Sequence, residues 1–266
     1  MNREQQMNRI ELIRLQTIHG HSYYLPSGMI PFQEDAIRES GVYEPATSAA
    51  ISDYVKPGMN VIEGGACCGY HALNLAKAVG AGGKVHCFEA NPLLVEILKK
   101  NIEINGYNDQ VEIIHAGIWC SESVMPFPML RAGLGGASFK NSYQLAAAPT
   151  VPVRMVALDD LYADQRVDFI RMDIEGSELE ALKGAERILR EQGPAMILEW
   201  IPDNSSLSES VELFNLLKKY KYQIYRITND GLIRIIGCED LHSKHVAEHE
   251  RDILCCRDIP DQVQGA

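Results

Sequence analysis

With 266 residues of which 46% are hydrophobic, the chain can bury a full core as one large domain or two small ones, and disorder is excluded as its default state. Thirty-six Asp and Glu against 25 Lys and Arg leave a net charge of −11, which opposes attraction to a polyphosphate backbone and argues against a nucleic-acid partner. The seven cysteines form no CxxC pair and read as reduced, mostly buried thiols, and no stretch reaches the roughly 18 apolar residues of a bilayer span. A soluble cytoplasmic protein that does not engage a membrane is the expectation.

Taken in chain order, Ile10, Ile13 and Ile18 have a spacing that suits a helix, after which HGHSYYLPSGMIPFQED breaks any periodicity with Gly and Pro. Residues 1–50 are therefore expected to form a cap or lid packed beside a main domain over 51–260, the whole being one globular unit. Lys56, Pro57 and Gly58 turn the chain into a short apolar strand over 60–63, followed by a helix over about 71–79 and a strand over 85–89. Asn91 then caps a helix with Pro92 at its first position, where the missing N–H costs nothing, and Leu94, Ile97, Leu98 and Ile102 supply its buried face. A third strand is expected over 111–116 and a fourth over 167–173.

Between those two strands, residues 121–154 are rich in Gly, Ala, Pro and Met and suit a hairpin or flap. Ser177 and Glu180 have capping-box spacing for a helix ending near Gly193 and Pro194. A fifth strand over 195–200 and an amphipathic helix over 208–220 follow. Three strand candidates at 222–227, 233–236 and 253–256 then lack intervening helices. Alternating β and α elements argue for a doubly wound, mostly parallel α/β sheet, and the strand-rich ending for an antiparallel closing hairpin.

Three constellations carry chemistry. The first, Glu63-Gly64-Gly65-Ala66-Cys67-Cys68-Gly69, lies at a strand-to-helix turn; glycines at 65 and 69 let backbone approach a ligand, and Glu63 can accept a bond from an ammonium group. A carboxylate just before the helix would oppose a pyrophosphate, so Glu63 favours a sulfonium cofactor over a dinucleotide. The second is Glu89, 24 residues after Gly65 and near the offset at which an acid meets ribose hydroxyls. The third is the run DFIRMDIEG, which puts Asp173 at the carboxyl end of a strand, where it can orient a hydroxyl, act as base, or ligate a hard cation together with Glu199. The bland alternative is that Asp173 and Glu175 only favour the next helix N-terminus.

Together VIEGGACCGYHAL, FEANP, LDDLYADQRVDFIRMDIEGSELEALKGAERIL and ILEW resemble the FkbM family of S-adenosylmethionine-dependent methyltransferases over about residues 40–257. The sequence departs from the family in one respect, carrying Glu63 where an aspartate is usual. The resemblance implies a Rossmann-like class I methyltransferase fold, S-adenosylmethionine as cofactor, and O-methylation of a hydroxyl on a small molecule such as a sugar or natural product. The expected cofactor-binding residues are Glu63, Gly65, Ala66, Gly69, Glu89, Ala90, His115 and Ala116. The expected catalytic residues are Asp173, Glu175 and His71, with Asp173 and Glu199 as candidate Mg2+ ligands. A small-molecule acceptor is the expected partner and a homodimer the candidate assembly. N-methyl transfer, a nicotinamide-dependent oxidoreductase and a non-catalytic subunit remain as alternatives.

Weaker features have bland accounts beside them. His242, His245 and His249 suit a solvated polar segment better than a ligand set. Tyr23, Tyr24, Met29 and Phe32 either line a lid or bury the cap, and Trp200 is a candidate for the acceptor pocket.

Overall fold

The computed structural model describes residues 10–130, 132–201, 206–242 and 251–258. The chain opens with two strands, β1 (Leu12–Gln16) and β2 (Ser22–Pro26), paired antiparallel. This corrects the helix expected there: Tyr23 and Leu25 alternate inward along β2, a period-2 pattern that outweighs the three spaced isoleucines. Helices α1 (Pro31–Ser40) and α2 (Pro45–Tyr54) complete the cap, so the expected boundary at residue 51 falls inside α2.

The main sheet begins with β3 (Asn60–Gly64), α3 (Tyr70–Val79), β4 (Lys84–Glu89), α4 (Pro92–Ile104) and β5 (Val111–His115). Asn91 caps α4 as expected, its side chain accepting from the Leu93 N–H at 3.0 Å. The flap segment is a small separate sheet: β6 (Gly117–Ile118), β7 (Ser123–Pro128) and β8 (Thr150–Val156), in the order β6-β8-β7, with a short helix α5 (Ser142–Ala147) in the β7–β8 connection. Next come α6 (Leu158–Tyr162), β9 (Phe169–Met172), α7 (Glu178–Lys183), α8 (Glu186–Glu191) and β10 (Ala195–Glu199). The single helix expected after Ser177 is broken in two: the Gly184 carbonyl accepts from Asp159 N–H at 2.8 Å, and the Asp159 carboxylate accepts from the Arg187 and Ile188 N–H groups at 2.7 and 2.9 Å, capping α8 as a separate helix. The Ser177 capping box does not form either, since the Ser177 hydroxyl makes no cap bond.

The chain closes with α9 (Leu207–Lys219), β11 (Gln223–Thr228), β12 (Gly231–Ile235), α10 (Cys238–Leu241) and β13 (Asp252–Cys256). The eight strands run in the order β12-β11-β13-β10-β9-β3-β4-β5. From β10 to β5 the pairing is parallel; β13 lies antiparallel between β10 and β11, and β12 pairs antiparallel outside β11. These three strands form the expected antiparallel ending, although the short helix α10 intervenes between β12 and β13 where no helix was expected.

Alternation along the strands divides the core between two faces, as a doubly wound sheet requires. Val61, Phe169 and Ile197 pack with the cap, α3 and α4, whereas Ile62, Ile170, Met196 and Leu198 pack with α6 to α9. Tyr23, Leu25, Ile37 and Ile51 of the cap belong to the first cluster, so the cap shares the core of the main sheet. Asn101 of α4 and Asn105 at its C-cap hold β2 as a neighbouring strand would. Asn101 accepts from Tyr24 N–H at 2.7 Å and donates to Tyr24 and Cys68 carbonyls at 2.8 and 2.7 Å, while Asn105 makes the matching pair with Ser22.

Candidate active site

Strand order reverses at β3, whose successors β4 and β9 flank it on opposite sides, and in open α/β sheets the crevice at that point takes ligands. A cavity of about 650 Å³ opens there, lined by the ends of β3, β4, β9 and β10, by α1 and Glu44 of the cap, and by the flap segment 133–139. Its size lies within the roughly 300–1,000 Å³ of small-molecule sites.

The glycine-rich turn forms one wall. Gly65 has φ +76°, and a Cβ there would lie 1.8 Å from the Asp173 carbonyl oxygen, so only glycine lets the turn pass against the end of β9. Gly69 also has a positive φ, but it is not a lining residue; a Cβ at this position would meet Leu98 Cδ1 at 2.4 Å, so it serves the packing of α3 on α4. Glu63 is 1% exposed, with Oε1 3.6 Å from the Arg171 guanidinium and Oε2 without a partner. Burial pushes its carboxyl up to about 8 despite the arginine. Glu89 accepts backbone N–H bonds from Cys67 and Asn91, both at 2.7 Å, which ties the turn to the start of α4; burial still pushes it up to about 7.

Of the other residues expected at the cofactor, Ala66, Ala90 and Ala116 line the cavity. His115 does not, and its Nε2 lies 3.1 Å from the Ala90 carbonyl oxygen. Trp200 is also away from the cavity, 1% exposed within the core on the opposite face of the sheet, because it follows the inward-facing Leu198 by two residues. Phe32 lines the cavity although it is 73% exposed, while Tyr23 is buried in the cap. His245 and His249 lie outside the described residues; His242 Nδ1 is 3.3 Å from the Ser210 hydroxyl.

Sequence reasoning missed the hub of the site. Arg171, 3% exposed in the middle of β9, pairs with Asp173 at 3.0 Å, Glu44 at 3.3 Å and Glu63 at 3.6 Å. Burial alone would lower its pKa, and these three carboxylates raise it instead. The available signal was a lone arginine inside an otherwise apolar strand, a residue type almost never buried without partners. Glu44 comes from the cap in the left-handed region (φ 48°), strain of a kind that clusters at functional sites. It also meets His71 Nε2 at 2.8 Å, while His71 Nδ1 is buried without a partner. Burial, helped by Arg171, holds His71 well below its usual pKa, so its ring is neutral at pH 7.

At the mouth between β9 and β10, carboxylate oxygens of Asp173, Glu175 and Glu199 all lie within 4.8 Å of one another. Burial and then Asp173 push Glu175 up to about 8 and raise Glu199 well above the carboxylate range. The structure thus brings together all three expected catalytic residues and both candidate metal ligands in one cavity.

A family model described as the methyltransferase FkbM domain matches residues 63–224, from the start of the glycine-rich turn into β11. The chain belongs to the FkbM methyltransferase family. The chain is also 34% identical over 98 residues to protein-L-isoaspartate O-methyltransferase 1 of Archaeoglobus fulgidus, covering 37% of this chain and 40% of that one. It is 38% identical over 79 residues to a protein-L-isoaspartate O-methyltransferase of Hyperthermus butylicus, covering 26% and 33%. The chain therefore matches less than half the length of these curated relatives. The crystal structure of methyltransferase FkbM from Methylobacillus flagellatus superposes with a TM-score of 0.50 at 19% identity, over 75% of this chain and 43% of that one, a likeness of fold. No helix among the described residues is long and apolar enough to cross a membrane.

Proposed function

We propose that this FkbM-family protein transfers the methyl group of S-adenosylmethionine to a hydroxyl of a small molecule. The observation that carries the reading is Glu63: a buried carboxylate at a glycine-rich βα turn, with one oxygen unpartnered, lining a cavity at the switch point. Such an orphaned acceptor fits the ammonium of a methionine moiety, which would restore its charge and its missing bond. Glu89 has lone pairs left beyond its two backbone bonds for ribose hydroxyls. When bound, the cofactor supplies an electrophilic methyl carbon on a sulfonium.

The rest of the chemistry is positioning and proton transfer by this chain. Asp173, held by Arg171 through Oδ2, is placed to orient an acceptor hydroxyl. His71 is the other lining residue that can take the proton: its Nε2 meets Glu44 and its Nδ1 has no partner, although burial beside Arg171 makes it a weak base. Six carboxyl groups line the cavity against two arginines, and burial holds most of them toward the neutral form, so the lining suits a polar acceptor that exchanges hydrogen bonds. Mg2+ between Asp173 and Glu199 would assist by lowering the hydroxyl pKa.

Calorimetric titration with S-adenosylhomocysteine and, separately, NADH tests the reading. Selective binding of S-adenosylhomocysteine, lost in Glu89→Ala and weakened in Glu63→Gln, is expected. Binding of NADH alone would overturn the proposal.

A further inference from the structure

The acidic mouth of the cavity has no account in cofactor binding. Glu63 and Glu89 serve the cofactor in the proposed reading, and Arg171 is already shared among Glu44, Glu63 and Asp173. Asp173 also converges with Glu175 and Glu199, which stand outside that set, one oxygen of each within 4.8 Å of the others. Two further atoms point to a missing ligand at this end of the cavity. Ser177 lines it at 1% exposure, and its hydroxyl has no hydrogen-bond partner. Glu199 Oε2 is shielded from solvent and also lacks one. Buried polar atoms left unsatisfied are costly, and a cluster of three carboxylates with one oxygen unpartnered, near a buried hydroxyl that is also unpartnered, is built for a cation.

We infer that Asp173, Glu175 and Glu199 bind one divalent metal ion at the cavity mouth, with Ser177 completing the polar wall around it. Hard oxygen donors suit Mg2+ or Mn2+, and a shared ion with bonds of about 2.0–2.1 Å sets its ligand oxygens roughly 3–4 Å apart, within side-chain rotation of the spacing present. The flap sets the third ligand. Glu175 has φ 55°, and the Ser138 hydroxyl donates to its carbonyl at 2.7 Å, holding the backbone in that left-handed conformation. Lys140, two residues further along the flap, is salt-bridged to Glu209 of α9, which anchors the flap to the main domain. Ser138 is therefore a positioning residue, acting on the metal through Glu175. Three protein ligands leave positions open for water and for an acceptor oxygen, a role that rests on the methyl-transfer reading, whereas the ion's binding does not.

The test is titration of the purified full chain with Mn2+, following free Mn2+ by electron paramagnetic resonance, with melting curves for each variant. One Mn2+ per chain is expected, displaced by excess Mg2+. Glu175→Gln and Glu199→Gln should each weaken it at least about 10-fold, and Ser138→Ala about 10-fold while melting like the wild type. Glu89→Ala should lose S-adenosylhomocysteine yet keep Mn2+. No stoichiometric Mn2+, or Mn2+ affinity indifferent to Glu175 and Glu199 in folded variants, overturns the site. Mn2+ bound through these residues by a protein that does not bind S-adenosylhomocysteine upholds the site and removes the cofactor reading alone.

Discussion

Glu63 joins the site to the stability of the fold. Its carboxyl sits at about 8 in the folded chain against an ordinary 4.5, because burial disfavours its charge. Between those two values the folded state keeps a proton that the unfolded chain releases, so the unfolded state binds fewer protons and stability falls as pH rises. The contribution is complete below about pH 4.5 and is lost as pH climbs through about 8. The ligand-free protein should therefore melt at progressively lower temperature from about pH 5 to pH 8, and Glu63→Gln, which keeps the shape without an ionisable proton, should flatten that decline. Differential scanning calorimetry of both proteins across this range checks it; parallel curves would mean that Glu63 is charged in the fold.

At the scale of elements, the link between cap and turn runs through α4. Asn101, fully buried, satisfies the Tyr24 N–H and carbonyl on β2 and the Cys68 carbonyl in the glycine-rich turn. One side chain thus fixes the cap and the glycine-rich turn to the same helix. Asn101→Ala would orphan three backbone groups, at an expected cost of about 2–3 kcal/mol. Denaturant melts measure that loss, and hydrogen exchange should show faster opening in Ser22–Pro26 and around Cys68 while β9 and β10 keep their protection. Uniformly faster exchange across the sheet would contradict the local link.

For the whole molecule, the strand that comes last in sequence lies inside the sheet. β13 is buried at every position and separates β10 from β11, so without it β10 loses a neighbour and β11 and β12 lose their attachment. A chain ending at residue 250 is expected to lose cooperative melting and to aggregate through the exposed edge of β10, as judged by circular dichroism and light scattering. Cooperative melting of that truncated chain at the full-length temperature would show that β13 is dispensable.

What the sequence by itself determined were features carried by local chemistry. Apolar patterning placed the five parallel strands and the helices α3 and α4 between the first three of them, because burial on two faces leaves a clear pattern, whereas α6 and the break between α7 and α8 were not legible. Strand-end acids and glycines located Glu63, Gly65, Glu89, Asp173 and Glu199, because an open α/β sheet puts its ligands at those ends. The tertiary structure alone decided the hairpin of the cap, where three isoleucines with helical spacing were overruled by inward-facing Tyr23 and Leu25. It also assigned Gly69 to packing against Leu98, removed His115 and Trp200 from the cavity, and left Ser177 uncapped and facing it. Above all it joined Glu44 to Arg171 across 127 residues of sequence, meeting His71 at the same carboxylate. No local pattern could carry that pairing, because a buried arginine is tolerable only where the fold brings carboxylates to it, and which acids arrive depends on how the cap docks on the sheet.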